Sequence, residues 1–209
     1  MFYCGVLYHG TDKKSAKSII AENFKPSEGD NHWLGNGIYF FEDDVHAYHW
    51  ILEKYVKNKN ILPHKLRKSV FKDNKILCAC IEIDKNRIFD LDKLKYYIIY
   101  VSSYREVMSE IDDEGKPVPD GAFINLLFDD MGFGEDYDIV KYTFHFPKRQ
   151  LNNGREMRSA NIVPPQTQIC VKNYDIIKDV KLHYINNIDK KYNELSILFP
   201  HIYPPLSKR

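Results

Sequence analysis

The ten residues from Lys75 to Asp84, KILCACIEID, are apolar almost throughout. A run of this length, bounded by polar residues and rich in branched side chains, reads as a strand buried on both faces. The chain must therefore place packing layers on both sides of a sheet. Cys78 and Cys80 fall inside this run and read as core residues. Four cysteines in 209 residues are too few for a disulfide scaffold.

Other elements follow on either side. Val6-Leu7-Tyr8 is a short strand ending in His9-Gly10-Thr11, and Asp12 can cap a helix carrying Ala16, Ile19 and Ile20 at i, i+3, i+4 spacing. A polar loop from Phe24 to Leu34 precedes Gly35-Asn36-Gly37 and a second buried strand, Ile38 to Phe41. Asp43 or Asp44 then caps a helix bearing Ala47, Trp50 and Ile51. A short amphipathic helix capped by Asp120 turns Phe123, Leu126 and Leu127 inward. Later strands are expected over Asp138–Phe146, Gln166–Lys172 and Ile176–Tyr184, with a helix over 186–198 and a tail from about 199 to 209. The pattern predicts an α+β fold in a single domain spanning 1–209, with helices inserted between the strands of a split antiparallel sheet.

With 44% apolar and 28% charged residues, the composition excludes wholesale disorder. No run approaches 18 apolar residues and no leader pattern opens the chain, so a cytoplasmic protein without a membrane span is expected. The net charge of +1 hides an uneven distribution. From 101 to 140 there are 2 basic and 11 acidic residues, which marks an acidic helical insertion over about 101–138. From 141 to 209 there are 12 basic and 5 acidic, so one region can face a polyanion. His32, His46, His49 and His64 have no metal-ligand spacing with cysteine, and no metal is expected.

Two segments about 30 residues apart carry the candidate chemistry: Tyr8-His9-Gly10-Thr11 and Leu34-Gly35-Asn36-Gly37-Ile38-Tyr39-Phe40. His9 at a strand end can donate to a sugar hydroxyl, Gly10 leaves backbone groups open to a flat ligand, and Tyr39 offers a ring for stacking. Trp50, on the next helix, can supply a second ring. Thr11 belongs to the same segment, although capping the following helix is its plainer role.

In these residues, and in the order of helix and loop between them, the stretch from Leu7 to Trp50 resembles the poly(ADP-ribose) polymerase-like branch of the ADP-ribosyltransferase superfamily. The resemblance implies a split antiparallel sheet with NAD bound in its cleft as the ADP-ribose donor. It implies that His9 holds the adenosine-side ribose, that Gly10 pairs with the nicotinamide carboxamide, and that Tyr39 and Trp50 stack on the nicotinamide, with Thr11 in the same binding set. Ala47 stands where that branch often has a carboxamide-binding serine. Gln168, in the strand Gln166-Thr167-Gln168-Ile169-Cys170-Val171-Lys172, stands at the place of the catalytic glutamate. Gln166 takes the earlier position, which faces the acceptor in relatives.

Glutamine can accept a hydrogen bond from a ribose hydroxyl but brings no charge to a developing oxocarbenium ion. Slow mono-ADP-ribosylation, with Glu156 as a substitute carboxylate or with an acceptor needing little activation, is one expectation. A catalytically inactive NAD- or ADP-ribose-binding module is the alternative. For the acceptor, the basic loop with Arg149, Arg155 and Arg158 can pair phosphates, and Gln166 can bond a base edge. RNA or DNA is therefore favoured over protein. Compact members of the superfamily act as toxins, effectors or defence proteins, so a neutralising antitoxin is a possible partner by resemblance.

Overall fold

In the computed structural model the residues described are 1–29, 32–59, 70–110, 117–145, 165–184, 188–198 and 203, side chains at 56–59 apart. The longest ladder joins β1 (Phe2–Asp12) to β3 (Asn74–Asp84), antiparallel from Phe2↔Asp84 to Asp12↔Asn74. The apolar run is therefore a central strand, flanked on its other side by β7 (Ile177–His183). Leu77, Ala79, Ile81 and Ile83 face one cluster, and Ile76 faces another across the sheet. Burial on both faces is what its sequence requires.

The remaining strands are β2 (Ile38–Phe41), β4 (Ile88–Asp90), β5 (Ile139–Phe144) and β6 (Gln166–Val171), in the order β4-β5-β6-β2-β1-β3-β7. All neighbours are antiparallel except β4 and β5, which run parallel through Ile88↔Ile139. That pair corrects the expectation of a wholly antiparallel sheet. Helix α1 (Lys13–Glu22) covers one face through Ala16 and Ile19. On the other face, α2 (Asp44–Lys59), the single turn α3 (Val70–Asp73) and α7 (Ile188–Leu198) pack as one layer near β1 and β3. A second layer on that face, α4 (Leu94–Glu110) and α5 (Asp120–Asp129), with the short α6 (Phe133–Asp136), covers β4, β5 and β6.

Asp12 caps α1, its carboxylate accepting from the amides of Lys14 and Ser15, both at 2.9 Å. Two expectations need correction. Thr11 is no cap but a strand residue opposite Lys75. Asp120 is not the cap of α5 either: Pro119 holds that place, and Asp120 accepts from the Tyr100 hydroxyl at 2.6 Å. The acidic insertion also holds more helix than one amphipathic segment, because α4 runs 17 residues. No helix among the described residues is long and apolar enough to cross a membrane.

The far end of the sheet is closed by Asp138, which is buried. Arg87 donates to both of its carboxylate oxygens through Nε and Nη2, and Asn173 Nδ2 adds a third bond at 3.0 Å. The Arg87 guanidinium holds the Asp138 carboxyl below its usual range. Arg87→Met leaves that carboxylate short of partners and is expected to cost about 2–3 kcal/mol at neutral pH. A depressed acid pKa stabilises the fold above about pH 4 and ceases to do so as pH falls through the folded value. The gap between variant and wild type in urea unfolding should therefore narrow in acid.

Candidate functional site

Strands β1 and β2 are neighbours in the sheet, yet they pair only at Tyr8↔Phe41. Beyond Tyr8, β1 continues to Asp12 with ladder partners on β3 alone, and β2 is paired along its length to β6. A gap therefore opens between His9–Asp12 and the start of β2. It lies over the seam between the two helical layers, since Phe41 packs with the α2 cluster and Tyr39 with the α5 cluster.

His9 bridges this gap. Its Nδ1 is 2.8 Å from the Tyr39 carbonyl oxygen, and a carbonyl only accepts, so Nδ1 carries the proton. The ring packs edge-on against Phe24 and Phe40, on the face covered by α1. Burial lowers its pKa, opposed by the bond to Tyr39 and assisted by the Lys54 ammonium of α2. The imidazole is therefore held neutral, with Nε2 unprotonated. This corrects the expectation that His9 donates to a sugar: its remaining ring nitrogen is an acceptor.

The Tyr39 hydroxyl donates to the Gly35 carbonyl at 2.7 Å and accepts from the Leu34 amide at 2.9 Å. Burial drives its pKa far up, so the phenol stays protonated. His32 lies beside the ring, centroids 5.5 Å apart. The loop that holds this hydroxyl is itself clamped. Lys172 Nζ donates to the Leu34 carbonyl at 2.9 Å and also to that of Asn36, and Asn125 Oδ1 accepts from the Asn36 amide at 2.6 Å. Gly121 of α5 lies so close that a Cβ there would overlap the His32 carbonyl. Gly35 has φ +72°, and a side chain there would meet Lys172 and Asn125.

Gly10 is buried, and its missing side chain serves packing first: a Cβ would sit 2.6 Å from the Ala47 carbonyl oxygen. Glycine here lets α2 lie directly on β1, a different use from the open backbone expected of it. Trp50, one residue before the Ile51 that also abuts Gly10, is 44% exposed. Cross-strand pairing fixes the place of the glutamines. Gln168 stands opposite Phe41 on one side and Tyr142 on the other, two residue pairs along from Tyr39↔Cys170. Residues two apart on a strand share a face, so Gln168, Cys170 and Tyr39 share one. Gln166, opposite Phe144, is 5% exposed. Arg149, Arg155, Arg158 and Glu156 lie outside the described residues.

The structure therefore brings Tyr39, Gly10 and Gln168 to one face at the gap, while the His9 ring occupies the opposite face and reaches Tyr39 through its carbonyl. Lys54, Lys172, Asn125 and Gly121 were not singled out from sequence; each acts across chain distances that local patterns do not span. Away from the gap, His46 and His49 of α2 are buried in the α2–α7 corner, and burial pushes the His46 pKa down to about 4. Among the described residues no three histidine, cysteine or acidic side chains converge as a metal site.

No family model matches the chain, and no solved structure matches it. The uncharacterized protein MJ0359 of Methanocaldococcus jannaschii is 32% identical over 213 residues, covering 94% of this chain and 94% of its own. The chain belongs to the family of that archaeal protein. The likeness spans most of the chain rather than one short segment.

The clamp on the loop before β2 gives a direct test. Gly121→Ala is expected to push α5 off the His32 carbonyl and cost about 1–3 kcal/mol, as overpacking does. The urea midpoint should fall with an unchanged slope.

Proposed function

We propose that the chain is an NAD-dependent mono-ADP-ribosyltransferase whose donor site is the gap between β1 and β2. The observation that carries this reading is the single pairing Tyr8↔Phe41, beyond which the sheet parts beside Gly10 and Tyr39. Three further features support it. The groups at the gap are a neutral imidazole, a protonated phenol and an uncharged amide, none of which repels a pyrophosphate. Lys54 lies near enough to His9 and Asp12 to lower the pKa of both, and it provides a cation beside the gap. Trp50 is open to solvent on the helix that abuts Gly10.

On this reading the nicotinamide lies against the Tyr39 ring, and the ring cannot swing because both lone pair and proton of its hydroxyl are engaged. His9 Nε2 accepts from a ribose hydroxyl. The Gln168 carboxamide oxygen accepts from the hydroxyl of the reacting ribose. The bond between C1′ and the nicotinamide nitrogen breaks, its electron pair leaving with neutral nicotinamide. A bond then forms from C1′ to a nucleophilic nitrogen or oxygen of a macromolecule, whose proton passes to solvent. Gln168 stabilises the positive ribose by orientation only, so the turnover should be slow. The same lack of charge is the specific observation behind a second reading, in which the chain binds NAD or ADP-ribose without turning it over.

The deciding experiment supplies NAD labelled in its adenylate half to the protein with RNA, DNA or protein acceptors, followed by nuclease or protease digestion. Label fixed to macromolecule supports transfer; NAD bound with no label fixed and no nicotinamide released supports the binding module. Absence of NAD binding removes both.

Two variants sharpen the roles. His9→Asn keeps an amide N–H for the Tyr39 carbonyl and removes the acceptor nitrogen. The lost ring contacts with Phe24 and Phe40 should lower the urea midpoint, while the folded variant in the absence of urea should bind NAD about tenfold more weakly by calorimetry. Gln168→Glu restores a carboxylate and should raise nicotinamide release by roughly 10²-fold.

A further inference from the structure

On the α1 side of the sheet, opposite the face that presents Tyr39 and Gln168, there is a cavity of about 190 Å³. Helix α1 lies over β1, β3 and β7 on that side, and the cavity lies beyond it, over β4, β5 and β6. Its floor is three buried isoleucines, Ile88, Ile139 and Ile169, and the Tyr3 ring forms one wall. Tyr3 belongs to one half-sheet and the isoleucines to the other, so both halves line it. The rim carries three ammonium groups. Lys93 is 3.3 Å from Asp90, and Lys141 is 2.9 Å from Glu42. Lys85 has no carboxylate partner among the described residues, and its Nζ reaches the Met1 sulfur at 3.5 Å. The neighbouring Asp84 is turned to the Asn86 amide and the N-terminal ammonium, and Asp92, beyond the rim, is held by the amide and hydroxyl of Thr143.

Floor and rim ask for two different parts of one ligand. Isoleucine side chains and a phenol ring gain from an apolar body. At the rim, the ammonium groups of Lys85, Lys93 and Lys141 face the carboxylates of Asp90 and Glu42, which leaves the Lys85 charge unmatched. We infer that the cavity is a binding site for a small organic monocarboxylate, with its apolar body on the three isoleucines and its carboxylate on Lys85. The Tyr3 hydroxyl can join this contact. Its bond to Glu42 Oε1, at 3.5 Å, is at the limit of hydrogen-bond length, so its proton can turn to a closer acceptor. A phosphate monoester suits the rim less well, because it brings about two negative charges to one free cation beside Asp90 and Glu42. A neutral ligand leaves Lys85 unpaired, and an inorganic anion leaves the floor bare. The inference does not depend on the transferase reading, since the cavity and the face that presents Tyr39 and Gln168 lie on opposite sides of the sheet.

Phenylacetate is the probe, titrated by calorimetry against the wild-type chain without NAD. Saturable binding is expected, with acetate, which lacks the body, and phenylacetamide, which lacks the charge, each about tenfold weaker or more. In methyl NMR spectra the signals of Ile88, Ile139 and Ile169 should move along one binding curve, while that of Ile124, in the α5 layer, stays in place. Lys85→Met keeps an apolar stem and removes the ammonium. It should weaken phenylacetate about tenfold or more and leave phenylacetamide unchanged, and Lys85→Arg should retain most of the affinity. Unchanged urea midpoints exclude unfolding as the cause, and the methyl shifts test the site in the wild-type chain. Absence of saturable binding, equal affinity for phenylacetate and phenylacetamide, or full affinity in Lys85→Met overturns the site. Heat of binding with the three isoleucine signals fixed overturns it as well, because the anion then sits elsewhere. Binding of phenylacetate at these residues with no binding of NAD would leave this site standing and remove the transferase reading.

Discussion

The structure depends on how little joins its two half-sheets. Strands β7, β3 and β1 form one ladder system, and β2, β6, β5 and β4 another; between them lies the single residue pair Tyr8↔Phe41. The His9 imidazole replaces a missing stretch of ladder by reaching from one half to the Tyr39 carbonyl of the other. Phe24 and Phe40 pack against this imidazole and each other on the α1 side. Farther along that face, Glu42 at the end of β2 bonds Lys141 of β5 at 2.9 Å. Each half has its own helical layer, so the opening can exist without loss of a continuous core beneath either half.

Segments whose local pattern agrees with their tertiary role were legible in the sequence. The strand Ile38–Phe41, the helix beginning at Asp44 and the cap at Asp12 fall where spacing and turn chemistry put them. Helix α4 was missed because Lys95-Tyr96-Tyr97-Ile98-Ile99-Tyr100-Val101 is rich in aromatic and branched residues, which favour strands. Its helical spacing was nevertheless present. Tyr96, Ile99, Tyr100, Tyr104 and Val107 all pack against one cluster. Tertiary packing on Phe123 and Phe89 outweighed intrinsic preference. Strand β4 was missed for another reason: three residues carry too little pattern, and the parallel partner that defines it lies about 50 positions away.

The candidate site divides along the same line. Residue types could be read from sequence, but the partner of each side chain could not. Asparagine at 125 and lysine at 172 look like surface residues on a helix and at a strand end, yet both hold carbonyl or amide groups of the loop around Gly35. Burial depresses the Lys172 pKa, and the ammonium is kept by carbonyl oxygens rather than by an acid at its tip. The tautomer of His9 is equally invisible in a motif, because it is set by an oxygen 30 residues away.

These neutral and cationic groups also bear on what the gap can achieve. If it holds NAD, the pyrophosphate finds the Lys54 charge, which it shares with the Asp12 carboxylate at the end of β1. Such contacts are present equally in the ground state and the transition state, so they tighten binding without accelerating bond cleavage. Rate would require negative charge beneath the ribose as nicotinamide leaves, and Gln168 does not provide it. On the reading proposed above, such a gap would hold its donor well and cleave it slowly. Cleavage of the bond from C1′ to nitrogen, rather than donor binding, would then set the pace, so charge beneath the ribose would matter more than any further contact to the pyrophosphate.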